Sequence, residues 1–109
     1  VQPPTQSEDR FLGQVLTLAK LLGWRVVHFR PGRTRRGWAT PVQGDGLGFP
    51  DLLFLRAKTC FVAELKRAGG KPTEAQVEWL EAFRAADIAA YLWTPDAWPE
   101  IERVLQEGP

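Results

Sequence analysis

Gly48-Phe49-Pro50-Asp51-Leu52-Leu53-Phe54-Leu55-Arg56-Ala57-Lys58-Thr59-Cys60-Phe61-Val62-Ala63-Glu64-Leu65-Lys66 reads as two apolar strands around a basic turn. Residues 51–56 suit the first strand, 57–59 a short turn and 60–65 the second. So short a connection makes the pair antiparallel. Glu64 and Lys66 are two apart, so both leave the same face of their strand. An antiparallel hairpin sets the start of the first strand beside the end of the second, which brings Asp51 near Glu64.

Outward from this hairpin the signals are regular. On its N-terminal side, Thr5 and Glu8 have the spacing of a capping box. Phe11, Val15, Leu18 and Leu22 then recur at helical spacing, and Gly23 suits the position past the helix end. Residues 24–29 form a strand with aromatic and β-branched content. Residues 30–48, rich in Gly, Arg and Pro, form a long loop or an irregular hairpin. On the C-terminal side, 67–72 is a Gly-containing break. Thr73 with Gln76 makes a second capping box, followed by a helix whose apolar stripe is Val77, Leu80 and Phe83. That helix ends near Asp87, in a left-handed position that Gly fills more comfortably. Residues 90–93 form a further strand. Pro99 suits the first turn of a last helix, with Ile101, Val104 and Leu105 inward. The expected fold is α/β, in the order αβββαβα, with a small mixed sheet flanked by helices. Residues 1–109 form a single domain with 1–6 as a flexible arm.

The chain has 109 residues, 44% hydrophobic and 25% charged, which are ordinary globular values that argue against disorder. One cysteine, Cys60, excludes a disulfide framework within the chain and suits a reducing, cytosolic setting. Cys60 itself suits the core. No apolar run is long enough to span a bilayer, and no signal-peptide pattern opens the sequence. The net charge is +1, but residues 10–44 contain no Asp or Glu and carry Arg10, Lys20, Arg25, Arg30, Arg33, Arg35 and Arg36. A basic first third and an acidic last third are thus hidden in a near-neutral total. This is either the footprint of a polyanion-binding face or a solvated surface.

Each charge of the hairpin has an ordinary explanation alone. Pro-Asp is common in turns, and Glu64 with Lys66 can be a weak pair on an exposed edge. Charges set within a run as apolar as Phe61-Val62-Ala63-Glu64-Leu65 are nevertheless rare unless paired or metal-bound. Two carboxylates suit a hard divalent cation such as Mg²⁺, which takes oxygen ligands and keeps room for water and phosphate. Such a cation polarises a phosphate and lowers the pKa of bound water. Lys66 can orient that water or stabilise charge developing on the phosphate.

Taken together, Gly48-Phe49-Pro50-Asp51-Leu52, Ala63-Glu64-Leu65-Lys66 and Gln76 resemble the PD-(D/E)XK nuclease superfamily, and within it the small stand-alone VRR-NUC (virus-type replication-repair nuclease) domains of phages and bacteria. The likeness continues in Gly23-Trp24-Arg25-Val26-Val27-His28 and Trp93-Thr94-Pro95, and runs from about Glu8 to Leu105. It implies a restriction-endonuclease-like core and Mg²⁺- or Mn²⁺-dependent hydrolysis of DNA phosphodiesters, with branched DNA such as Holliday junctions as substrate, often by a homodimer. It implies Asp51, Glu64 and the Leu65 carbonyl as metal ligands, Lys66 as the catalytic lysine, Glu8 as the first-helix acid and Gln76 as the helix glutamine. For Glu8 a cap and a metal role are equal alternatives, and for Gln76 the capping and site roles are compatible.

Arg30, Arg33, Arg35 and Arg36 either grip phosphates or belong to a solvated loop, and the resemblance favours the former; Lys71, in the break after the second hairpin strand, is placed for a further backbone contact. His28 is either a core residue or a further phosphate contact. Trp38, Trp79 and Trp98 are core residues, stacking platforms for unpaired bases or a dimer face. Two features depart from the family: Asp87 stands where Gly is common, and the 30–48 segment is elaborated. Two other readings stay open, a non-catalytic DNA-binding module of nuclease fold within a larger complex, and a single-strand or RNA nuclease of the same fold.

Overall fold

The computed structural model describes residues 4–29, 32–34, 37–39 and 44–109, and the side chains of 8–29 and 44–109. The elements are α1 (Pro4–Leu21), β1 (Arg25–His28), β2 (Gly32–Thr34), β3 (Gly37–Ala39), β4 (Leu52–Arg56), β5 (Thr59–Leu65), α2 (Glu74–Ala85), β6 (Ala89–Trp93), a 3-10 turn (Pro95–Ala97) and α3 (Trp98–Glu107). The fold is mixed α/β, as the sequence leads one to expect. Four strands form one sheet in the order β1-β4-β5-β6. The first two pairings are antiparallel and the β5–β6 pairing is parallel, with α2 as the crossover. The 30–48 segment contributes the antiparallel ribbon β2–β3, the hairpin alternative of its two readings. No helix among the described residues is long and apolar enough to cross a membrane.

Alternation along the strands separates two apolar layers. Leu52, Phe54, Phe61 and Ala63 face α1 and α3, where they meet Phe11, Val15, Ala19, Trp93, Ile101, Val104 and Leu105. Phe54 and Phe61 stack at 4.3 Å between ring centroids in the middle of this layer. On the other face, Val62 and Ala90 pack against Leu80 of α2, with Leu53 and Phe83 alongside. The central strand β5 is therefore covered on both sides, which is why Phe61 to Glu64 are all buried. The layer under α1 and α3 is locked at one end by Arg56. Its guanidinium donates to the carbonyls of Leu22 (3.0 Å), Leu105 (3.0 Å) and Gln106 (3.2 Å) and lies 4.2 Å above the Trp24 ring. The Trp24 indole N–H also donates to the Leu105 carbonyl, at 2.8 Å. One cation thus satisfies carbonyls at the ends of two helices, where unpaired acceptors and negative helix-dipole charge accumulate.

Three details differ from the expectation. Helix α1 begins at Pro4, so Thr5 lies inside it and the Thr5–Glu8 pair is not a capping box. Pro is pre-organised for a first helical position, which explains the earlier start. Of the supposed arm 1–6, residues 4–6 are helical and 1–3 lie outside the described residues. Val77 is exposed, because α2 turns Leu80 and Phe83 to the sheet instead. The second capping box is present in full: Thr73 Oγ1 accepts from the Gln76 N–H at 3.2 Å, and Gln76 Oε1 accepts from the Thr73 N–H at 2.8 Å. Asp87 follows that helix at φ 62°, in the left-handed region.

Candidate active site

The hairpin register pairs Leu52 with Ala63, so the chain just before β4 lies beside the end of β5. Pro50 is buried there and has no N–H to donate. β4 begins only at Leu52, and the N–H of Leu65 is met by a side chain instead: Asp51 Oδ2 accepts from it at 3.0 Å. An extended residue presents its N–H and C=O to the same neighbouring strand. The Leu65 carbonyl therefore lies on the Asp51 side of β5, the edge where a backbone ligand is expected.

Glu64 points to the α2 face and is 2% exposed. Its Oε2 accepts from Gln76 Nε2 at 2.8 Å and lies 3.6 Å from Lys66 Nζ. Its Oε1 is buried and has no hydrogen-bond partner among the described residues. Burial, followed by the charge of Asp51, raises the Glu64 pKa from 4.5 to about 8, and Lys66 opposes this only in part. A buried carboxyl with an orphaned oxygen, beside a second carboxylate, is held in an environment that asks for a proton or a cation.

The structure therefore brings together Asp51, Glu64, Lys66, Gln76 and the Leu65 backbone. It does not bring in Glu8, which is exposed on α1. Among the described residues no third His, Cys, Asp or Glu joins the two carboxylates. His28 pairs with Leu52, so it shares that residue's face, toward α1 and α3 and away from Glu64. Lys71 is exposed in the segment that leads from β5 to α2. Arg30, Arg35 and Arg36 lie outside the described residues, as does the side chain of Arg33. Cys60 is half-buried near the start of β5. An open groove bordered by Arg10, Gln14, Leu18, Leu21, Pro95 and Trp98 lies between α1 and the start of α3, away from the carboxylates.

Two supporting residues escape a reading of the sequence. Gly48, at φ 84°, lies so close to α2 that an added Cβ would stand 2.6 Å from the Ala75 carbonyl carbon and 2.8 Å from the Gln76 nitrogen. The Trp79 indole N–H donates to the carbonyls of Asp45 (2.9 Å) and Leu47 (3.1 Å). Positive φ at Gly48 is readable as a preference of glycine, but its close approach is not. The partners of Trp79 are backbone carbonyls, which leave no mark in a sequence. Comparison with family models, curated proteins and solved structures finds no match for this chain.

Proposed function

We propose that the chain is a divalent-cation-dependent nuclease of the PD-(D/E)XK type, with a restriction-endonuclease-like core similar to VRR-NUC domains, hydrolysing DNA phosphodiesters. The observation that carries this reading is the orphaned, buried Oε1 of Glu64 next to Asp51. The donor set fits Mg²⁺ or Mn²⁺. Glu64 offers a carboxylate oxygen, Asp51 has its second oxygen beyond the one held by Leu65, and the Leu65 carbonyl lies on the same side. All are hard oxygen donors, few enough to leave positions for water and phosphate. When bound, such a cation supplies Lewis acidity toward the scissile phosphate and the attacking water.

The chain's own groups do the rest. Gln76 donates to Glu64 and fixes the orientation of its carboxylate. Lys66, half-buried beside Glu64, presents an ammonium that stabilises negative charge developing on the phosphate and orients water for in-line attack. Lys71 and the arginines of the 30–48 segment supply phosphate contacts on either side of the scissile bond. A four-way junction has twofold symmetry, so two copies of the chain about a twofold axis would suit paired cuts in it.

The reading is tested by cleavage of a four-way junction, a duplex, single-stranded DNA and RNA, each with and without Mg²⁺ or Mn²⁺. Cation-dependent cutting with preference for the junction is the expected result. Asp51→Ala or Lys66→Ala abolishes cleavage and leaves the far-UV spectrum and DNA binding largely intact. Full activity in either variant refutes the assignment. One observation favours a non-catalytic DNA-binding module instead: Asp51 and Gln76 each fill a backbone hydrogen bond as well, to Leu65 and Thr73. DNA binding with no cleavage of any of these substrates would establish that alternative.

A further inference from the structure

We infer that Trp79 is a positioning residue that holds Asp51 in place beside Glu64, through the chain segment 44–50. The significance of that placement for a cation rests on the nuclease reading above. Asp51 lies in no regular element, so something other than a strand ladder must fix it. Its side chain is tied to β5 by the hydrogen bond from the Leu65 N–H. The Phe29 N–H donates to the Asp51 carbonyl at 2.9 Å, which fixes the backbone on the β1 side. On the other side, the segment that leads into Asp51 is tied to α2. The Trp79 N–H bridges the Asp45 and Leu47 carbonyls, Gly48 packs directly on the Ala75–Gln76 backbone, and Phe49 lies edge-on to Trp79 (5.1 Å) and Phe83 (5.8 Å). Only three residues separate Leu47 from Asp51.

The same helix carries Gln76, which orients Glu64. Helix α2 therefore sets both carboxylates from one rigid body, Glu64 through Gln76 and Asp51 through Trp79. The indole has the reach and the donor needed to gather two carbonyls of the segment, those of Asp45 and Leu47. Phenylalanine keeps the ring against Phe49 and Phe83 but has no donor, so it separates the clamp from the packing.

The experiment uses the full chain without divalent cation and reads amide hydrogen exchange residue by residue. In Trp79→Phe the Leu65 amide exchanges roughly fivefold faster, the equivalent of one lost hydrogen bond transmitted to Asp51. The Lys66 amide, which donates to the Trp93 carbonyl at 2.9 Å on the other side of β5, keeps its rate. Asp51→Ala deprotects Leu65 by itself, and adding Trp79→Phe to it gives no further acceleration. In a Mn²⁺ titration followed by electron paramagnetic resonance, Trp79→Phe weakens binding severalfold. Wild-type protection of Leu65 in Trp79→Phe would overturn the inference. So would an equal loss at Leu65 and Lys66, which is what a merely structural tryptophan produces. Failure of the wild-type protein to bind Mn²⁺ refutes the nuclease reading, and the Leu65 exchange still decides whether Trp79 places Asp51.

Discussion

Replacing Glu64 by its neutral isostere should flatten the pH dependence of stability. In the folded chain the Glu64 carboxyl titrates at about 8, because burial and the nearby Asp51 charge disfavour its ionised form, and Lys66 offsets this only partly. In the unfolded chain it titrates near 4.5. Between these values the folded state holds a proton that the unfolded state has released, so stability falls as pH rises. The contribution is whole below pH 4.5 and is lost as pH rises through about 8. At about 1.4 kcal/mol per pH unit, that interval corresponds to on the order of 4 to 5 kcal/mol. This is a large share of the roughly 5–15 kcal/mol that holds a domain together.

The assay is urea unfolding of wild type and Glu64→Gln from pH 5 to pH 8.5, in a chelating buffer. Contributions from carboxylates remote from Asp51 and Glu64 cancel in the difference between the two proteins. Near pH 5 both side chains at this position are neutral and the two stabilities lie close together. By pH 8.5 the variant is the more stable, by on the order of 4 kcal/mol. On the proposed cation site, Mg²⁺ or Mn²⁺ should restore the wild type at pH 8.5 by binding the ionised carboxylate of the folded state, and should do much less for the variant. Parallel curves for the two proteins across the whole range would mean instead that Glu64 ionises alike in the folded and unfolded states.

Arg56→Ala removes three hydrogen bonds to helix-end carbonyls and the contact over Trp24. It should cost roughly 3 kcal/mol in urea unfolding, and Arg56→Lys should recover only part, because one ammonium cannot match the planar fork. Asp87→Gly should stabilise by about 1 kcal/mol, since Asp87 sits at φ 62° where only glycine is free of the Cβ penalty. A thermal melt reads it as a rise of a few degrees with cleavage unchanged.

The hairpin was legible because its signals agree. Apolar strands flank a basic turn, and the observed register, Leu52 with Ala63 and Arg56 with Thr59, is the one that puts Asp51 next to Glu64. Helix α2 was legible from Thr73 and Gln76, because a capping box is local chemistry. What stayed hidden depends on pairing or packing across the fold. The face of His28 follows only once its partner is known to be Leu52. Val77 fits the helical period as well as Leu80 does, and the tilt of α2 on the sheet decides between them. The expected cap at Thr5 failed because Pro4 starts the helix sooner. The hydrogen bonds of Trp79 stayed hidden because their partners are backbone carbonyls more than thirty positions away in the chain.

The chemistry of position 76 separates a purely structural cap from support of a site. A capping box works with Glu or Gln at its third helical position, since either oxygen accepts the N-cap N–H. Here Oε1 does that for Thr73, while Nε2 donates to the buried carboxyl of Glu64. Glutamate at the same position would cap equally well and would also complement the helix dipole. It would, however, turn an acceptor on Glu64, adding a third negative group to a place where Asp51 already raises the pKa. Capping therefore leaves the choice between the two residues open, and the neighbouring carboxyl closes it in favour of glutamine. A donor spent on orienting Glu64 through one oxygen leaves the other oxygen free, and that is the atom the proposed cation needs.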